Sequence, residues 1–534
     1  MDSERWDRRI AILAILVILA GVCVRLVEML LARGMLIDDA YITLRYARNF
    51  ALGHGMVYNP GEHVLGAPPV YVFITAGLWW LSRLFGGAEG AAVGYVLSLF
   101  NIALMGATAG LLVKQVRRSL GGWTLLLLVY FCFYLPFIDN TTTGMETTLF
   151  LLLLVLSLRF MDARHIWAAS LCMGLAVLVR AEGLLWIAAV GVTHLRRGGK
   201  WWAPGLLVPL LAVGAGWTIV SLGYYGTPIP HNVAAKSGWN VPLWGREGIL
   251  PYAWWVLNDL TLVPHPGGLA PRALGVALTA IVVLLVLVLG IAGTRALWRT
   301  RDTNLAWGLL FAGYVLFFLA GRGASGPSWY AIPPGLAIAI AAVHGLRWLP
   351  RLGDRDVPGA AITNPRLVVC GALALAFLGG SLFAWSKLRL PYYRLMETGY
   401  GRTGRYLSGA ATESRLLVNE IGYIGYLADR YIYDMAGIVT PEILDQRKQT
   451  RGEIDVPALM QRYEPDYVVV TGPGKRAAVQ ASVESGEIAD YGIALEAPPC
   501  FTFVRSPLED RGPGEEQELF ARAACARSPI TLGP

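Results

Sequence analysis

Twelve apolar runs, most of them long enough to cross a bilayer or nearly so, divide the first 386 residues. They fall at about 10–32, 67–85, 90–112, 121–138, 145–160, 166–180, 184–195, 203–222, 273–294, 305–321, 328–346 and 366–386. In lipid every backbone N–H and C=O must find its partner inside the protein, so runs of this kind are expected to be helices. Composition points the same way: 55% of the 534 residues are hydrophobic and 15% charged, with a mean hydropathy of +0.50. A typical soluble domain is about 25% charged, so a cytosolic globular enzyme, a disordered chain and a disulfide scaffold are all excluded. The net charge of +8 sits mostly in short Lys/Arg clusters between apolar runs, which orient membrane helices. Nucleic acid is therefore not the partner that the basic balance implies.

Positive-inside bookkeeping places Arg159–Arg164, Arg196–Lys200, Arg295–Arg301 and Arg347–Arg355 in the cytoplasm. The first run follows Arg5, Arg8 and Arg9, is interrupted by Arg25 and Glu28, and has no convincing cleavage site after it. It reads as a retained first helix with a cytoplasmic start. The outward segments are then 33–66, the break at Asp139–Glu146, the Arg180–Glu182 turn, the long loop 223–272, the turn 321–328 and everything after about 387. Lys114–Arg118 also belongs inside, so one segment must be re-entrant or interfacial. The expected architecture is an all-α polytopic membrane protein with about 11–13 membrane segments.

The chain is expected to divide at 386/387. Residues 387–534 carry 17 Lys/Arg against 20 Asp/Glu, whereas the remainder carries 28 against 17. The positive charge thus belongs to the membrane part. In the tail, Arg415–Asn419, Tyr431–Asp434, Tyr467–Thr471 and Cys500–Val504 read as short strands between Gly- and Pro-bearing turns and helices, giving a small C-terminal extracytoplasmic α/β domain. Pro507–Glu518 is a Pro/Gly/Glu-rich stretch. Cys23, Cys132, Cys172 and Cys370 lie in apolar runs as small buried hydrophobes, and only Cys500 and Cys525 stand in the polar tail, where an oxidising compartment would allow them to pair.

The stretch after the first helix is the most informative. It runs Ile37-Asp38-Asp39-Ala40-Tyr41-Ile42-Thr43-Leu44-Arg45-Tyr46-Ala47-Arg48-Asn49-Phe50, then Gly53-His54-Gly55 and Tyr58-Asn59-Pro60-Gly61-Glu62. At helical spacing Asp38, Ile42, Arg45 and Asn49 share one face and Asp39, Thr43, Tyr46 and Phe50 the next, which predicts a partly amphipathic helix along the membrane surface. The structural reading of the two acids is an N-cap and a first-turn carboxylate favoured by the helix dipole. The functional reading gains from other polar groups at the same level: Asp139-Asn140-Thr141-Thr142-Thr143-Gly144-Met145-Glu146, and Arg180-Ala181-Glu182-Gly183. Such groups near hydrocarbon are costly and usually line an aqueous cavity, although Arg180 and Glu182 also make sense as a local pair at a helix turn. Pro228 and Pro230 then fix an extended entry to the long loop, where His231, Asn232 and Lys236 offer donors suited to a phosphate or a sugar hydroxyl. Arg322 and Tyr330 flank the turn Gly321–Pro327.

Taken in order, these segments resemble the polytopic GT-C glycosyltransferases that use polyprenyl-phosphate sugars, and most of all the branch containing the mycobacterial cell-wall arabinofuranosyltransferases. The matching elements are Asp38-Asp39-Ala40-Tyr41-Ile42 with Arg45-Tyr46-Ala47, Gly53-His54-Gly55, Asn59-Pro60-Gly61-Glu62, Gly144-Met145-Glu146, Arg180-Ala181-Glu182-Gly183, Tyr225-Gly226-Thr227-Pro228 with Lys236, Asn419-Glu420-Ile421-Gly422-Tyr423-Ile424-Gly425-Tyr426, and Asp434-Met435-Ala436-Gly437. The chain departs from the family pattern at Val64–Pro69, where a Gly-Tyr-Thr-x-Pro-like segment is usual, and at Ala181, where proline is usual.

The resemblance implies transfer of a sugar, arabinofuranose in the nearest likeness, from a polyprenyl-phosphate donor to a cell-envelope glycan, lipid or protein. It implies a multi-pass protein of the bacterial inner membrane, with its site and tail on the periplasmic face. Asp39 is the expected general base and Asp38 its neighbour or a sugar-orienting group. Arg45, His231, Lys236 and Arg322 are expected phosphate contacts, with Glu146 and Glu182 orienting hydroxyls, and Tyr41, His54, Asn59, Glu62, Arg180, Asn232 and Tyr330 joining the binding set. No cofactor is required; two adjacent acids leave a divalent cation open, without a His/Cys ligand set of metal spacing. The rival is a transporter or flippase of lipid-linked sugars, which should place its polar residues at mid-membrane and show paired halves.

Overall fold

The computed structural model describes residues 2–84, 91–238, 249–261, 272–320, 328–347, 372, 375–380, 382, 389–449, 454–471, 473–486, 488, 491–500 and 515–522. Helices dominate, and the chain forms two compact units, neither continuous in sequence. One comprises Met1–Leu30, Ser98–Trp217 and Pro242–Trp385; the other comprises Leu31–Leu97, Thr218–Val241 and Ser386–Pro534.

The long apolar run of α1 (Asp2–Leu31) leads through a tight turn into α2 (Asp38–Ala51) and then α3 (Pro69–Arg83), which begins on a proline suited to a first helical turn. The next helices are α4 (Ala91–Leu120), α5 (Thr124–Phe133), α6 (Leu135–Thr142) and α7 (Thr147–Asp162). Among the described residues four helices are long and apolar enough to cross a membrane, within Arg9–Leu31, Ala91–Phe133, Pro204–Tyr225 and Val276–Thr300. The protein is thus a multi-pass membrane protein. Exposed Ile12, Leu16, Leu211, Ile219, Ile281 and Ile291 on these helices are what a lipid environment requires and water does not permit.

Helices α6 and α7 form a broken element bent by 110°, at the Asp139–Glu146 interruption. The bend needs Gly144, whose φ is +85°. Two of its polar side chains bond locally: Thr141 Oγ1 donates to the carbonyl of Phe137 at 2.7 Å and Asn140 Nδ2 to that of Pro136 at 2.8 Å. Helix α4 supports the break, Ser98 donating to the Thr142 carbonyl at 3.1 Å and Asn101 to that of Met145 at 3.2 Å. Arg25 of α1 closes the end of α5. Its guanidinium donates to the Cys132 and Phe131 carbonyls at 2.7 and 3.2 Å and to Thr141 Oγ1 at 3.1 Å. A cation at a helix C-terminus satisfies carbonyls that would otherwise be stranded in an apolar interior.

Helices α8 (Ile166–Val179) and α9 (Gly183–Arg196) are separated at Arg180–Glu182, and at 14 residues each they are about 21 Å long, short of a hydrocarbon core of roughly 30 Å. The chain continues through α10 (Pro204–Tyr225), α11 (His231–Gly238), α12 (Ile249–Thr261), α13 (Arg272–Thr300), α14 (Leu305–Leu319) and α15 (Ile332–Arg347). The expected run 366–386 and Cys370 fall mostly outside the described residues.

The tail opens with α16 (Leu390–Met396) and α17 (Arg402–Ser408) and builds an α/β sheet. Its elements are β1 (Arg415–Val418), α18 (Tyr423–Ala428), β2 (Tyr431–Asp434), α19 (Pro441–Gln449), α20 (Val456–Tyr463), β3 (Tyr467–Thr471), α21 (Pro473–Glu484), β4 (Tyr491–Cys500) and β5 (Glu515–Arg522). The strand order is β2-β1-β3-β5-β4, with β1 parallel to both β2 and β3 and β5 antiparallel to its neighbours. Continuous apolar runs such as Val468-Val469-Val470, buried on both faces, are what a parallel sheet covered by helices demands. Leu417, Val468, Val470, Met435, Leu459, Met460 and Val479 form one core. The first three expected strands are present. The fourth, expected at Cys500–Val504, lies outside the described residues beyond Cys500, and β5 occupies part of the Pro/Gly/Glu-rich stretch. The pairing of Cys500 with Cys525 lies outside the described residues.

Candidate active site

In the unit that contains the tail, the first-loop helix α2 is buried on almost every side, from Asp38 to Asn49. A helix lying along a surface would expose one face, whereas α2 is packed on nearly all of its faces. The cap residue of α2 is Ile37, and Asp38 and Asp39 occupy its first turn. Asp38 caps a different helix. Its Oδ1 accepts the Tyr423 N–H at 2.7 Å and its Oδ2 the Gly422 N–H at 3.0 Å, at the start of α18. A side chain on Gly422 would place its Cβ 1.9 Å from the Asp38 carbonyl oxygen, so only glycine allows this approach. Burial pushes the Asp38 carboxyl up to about 7, the two N–H bonds opposing the rise and the neighbouring Asp39 adding to it.

Asp39 is half-buried, and its carboxylate makes no hydrogen bond or ion pair among the described residues. The adjacent acids therefore differ in state: one is engaged by the tail and the other is presented. Both Asp38 oxygens are taken by N–H groups, and no three His, Cys, Asp or Glu side chains converge among the described residues.

Arg45 is buried beneath this pair, and its donors are committed. Nε donates to the Tyr58 carbonyl at 3.0 Å, Nη1 to that of Gly425 at 2.7 Å and Nη2 to that of Arg430 at 2.6 Å. The guanidinium lies 4.1 Å from the centre of the Tyr58 ring. It ties α2 to the tail, and a phosphate would have to displace these carbonyls. Tyr41 packs against Tyr423 and Tyr426, with ring centres 4.5 and 5.6 Å away. Asn59 pairs with both backbone groups of Ile432, donating to its carbonyl at 2.9 Å and accepting its N–H at 3.1 Å. Glu62 accepts from Asn59 at 3.2 Å and from the Tyr431 hydroxyl. His54 is exposed on the turn after α2. His231 and Asn232 are half-buried at the start of α11, where the His231 N–H donates to the Leu65 carbonyl at 2.7 Å. Lys236 lies on α11 with its side chain outside the described set, and Arg322 lies outside the described residues.

The other unit holds a second cluster. Buried Arg180 forms ion pairs with Glu146 at 2.7 Å and with Glu182 at 2.8 Å, and its guanidinium sits 4.7 Å from the Tyr330 ring. The local pair expected at the turn is thus present and extended to the start of α7. Reading the sequence left the motif Asn419–Tyr426 without a role; its Gly422 and Tyr423 prove to be the partners of Asp38. The signal was available in the two closely spaced glycines, but nothing in a linear reading joins it to the first loop.

Apolar helices with a partly parallel α/β tail give the chain the GT-C fold seen in solved structures similar to it. Among solved structures, ArnT from Cupriavidus metallidurans bound to undecaprenyl phosphate matches over 96% of this chain and 99% of its own, at 16% identity and a TM-score of 0.50. A mycobacterial arabinofuranosyltransferase, AftD, matches over 94% of this chain and 40% of its own, at 16% identity and a TM-score of 0.50. In sequence, the terminal β-(1→2)-arabinofuranosyltransferase of Corynebacterium glutamicum is 30% identical over 258 residues, 43% of this chain and 36% of that protein. Its Mycobacterium tuberculosis counterpart is 28% identical over 257 residues, 42% of this chain and 39% of that protein. The matched stretch thus spans well under half the length of these relatives. A family model described as a domain of unknown function (DUF8728) matches residues 391–509.

Proposed function

We propose that the protein is a glycosyltransferase that moves a sugar, arabinofuranose in the reading we favour, from a polyprenyl-phosphate donor to a hydroxyl of a cell-envelope acceptor. The reaction takes place on the extracytoplasmic face of the bacterial plasma membrane. The observation that carries this reading is the asymmetry of the acid pair, an engaged Asp38 beside a presented Asp39.

In the proposed step Asp39 accepts the acceptor hydroxyl proton as that oxygen attacks the anomeric carbon. The bond from that carbon to the phosphate oxygen breaks, and its electron pair leaves with the polyprenyl phosphate. A phosphate is a good leaving group, so one carboxylate base and donors for the departing charge suffice. Asp38 positions the base by fixing the first turn of α2. Arg45 acts through packing rather than on phosphate, leaving His231, Lys236 and Arg322 as the proposed phosphate contacts. The arabinofuranosyltransferase relatives favour a pentose, and the ArnT likeness favours a lipid-phosphate donor. The test is to incubate membranes containing the protein with synthetic polyprenyl-phosphate pentoses and hexoses and follow transfer to a glycan. Movement of the lipid-linked sugar across the bilayer without transfer would overturn the reading.

A further inference from the structure

The tail sheet changes direction between β1 and β3. From β1 the chain passes through α18 to β2 on one side, and from β3 it passes through α21 toward β4 on the other. At such a switch point the connections diverge from the carboxyl ends of two adjacent parallel strands and leave a place for a ligand. Polar side chains gather there. Asn419 follows β1 and donates through Nδ2 to Thr471 Oγ1 at 2.7 Å, at the end of β3, and to Glu420 Oε1 at 3.0 Å. Lys475, in the first turn of α21, donates to Asn419 Oδ1 at 2.8 Å. Glu420 stands two residues before Gly422, whose N–H holds Asp38.

The chemistry of this group suits a neutral polyol. The Asn419 amide accepts from the Lys475 ammonium and donates to the Thr471 hydroxyl and the Glu420 carboxylate, and a sugar hydroxyl, which both donates and accepts, can join such a group. Lys475 and Glu420 bring opposite formal charges to the two ends of the Asn419 amide, and a phosphate would meet the Glu420 carboxylate. We propose that Asn419, Glu420, Thr471 and Lys475, at the carboxyl ends of β1 and β3, bind neutral hydroxyl groups of the acceptor glycan and hold it beside Asp39. The tail is then the acceptor-binding part of the site. This rests on the glycosyl-transfer reading above and names the substrate side that the tail serves.

The test uses the full-length protein in detergent with a neutral arabinofuranosyl oligosaccharide as acceptor. Lys475→Met and Glu420→Gln should each raise the acceptor KM by about tenfold or more, the effect of one or two lost hydrogen bonds to a polar partner. The kcat at saturating acceptor, and hydrolysis of the donor by water, should stay near wild type. Saturation-transfer NMR reads oligosaccharide binding without turnover and should lose its signal in both variants. Unchanged acceptor KM and unchanged NMR signal in Lys475→Met would overturn the site while leaving the glycosyltransferase reading intact. Lys475-dependent oligosaccharide binding by a protein that transfers nothing would support the site and sink that reading instead. Displacement of the oligosaccharide by millimolar inorganic phosphate would overturn the assignment to neutral hydroxyls.

Discussion

Asp38 holds the first turn of a helix whose leading residue, Tyr423, lies 385 residues further along the chain, through a 2.7 Å bond from the Tyr423 N–H. Together with the Gly422 N–H this leaves neither carboxylate oxygen without a donor. Asp38→Ala should strand both N–H groups in a buried site and cost about 1–3 kcal/mol. Thermal unfolding in detergent reads this directly. A melting temperature equal to wild type would show that the contact is dispensable.

The same group should make stability depend on pH. Asp38 is raised from an ordinary 3.8 to about 7, so the folded state holds its proton more tightly than the unfolded chain does. The stabilisation is fully present below pH ~4 and is lost as pH rises through about 7. Wild type should therefore melt at progressively lower temperature between those limits, relative to Asp38→Asn, which cannot ionise. Parallel pH profiles for the two proteins would contradict the assignment.

Asp39 should behave differently, because its carboxylate is presented rather than engaged. Asp39→Asn should lower kcat by about 10²–10⁴-fold, the usual range for a general base, with little change in melting temperature. Transfer of a radiolabelled sugar from a polyprenyl-phosphate donor measures it, and normal turnover by the variant would remove Asp39 from the reaction.

Arg180 is buried between Glu146 and Glu182, so Arg180→Met should leave uncompensated carboxylates and cost about 3–5 kcal/mol. Chemical denaturation checks the value. Arg180→Lys should recover only part of it, since one ammonium does not reproduce a planar fork that serves two acids.

The helical membrane character, the break at Asp139–Glu146, the turn at Arg180 and three strands were legible because each rests on a local signal, whether apolar length, a polar interruption or a β-branched run. The arrangement of the candidate residues was not legible from their spacing along the chain. Helical spacing grouped Asp38 with Arg45 correctly, yet it could not say that the face they share is covered by Gly422, Gly425 and Arg430. Arg45 was expected to meet a phosphate because the family resemblance implied a cationic contact there. Its partners are carbonyl oxygens, which leave no mark in a sequence. Strand β5 was hidden for a related reason: Glu515, Glu516 and Glu518 read as a solvated stretch, and only pairing with β3 and β4 makes them a strand.

The discontinuous make-up of the tail-bearing unit also sets an order of assembly. Arg45 emerges from the ribosome about 380 residues ahead of the Gly425 carbonyl that it binds, and at 5–20 residues per second the interval is roughly 20–80 s. During that time α2 has no tail to pack against while the intervening helices enter the membrane. The contacts that fix Asp38 and Arg45 therefore form only after residues 422–425 have been made.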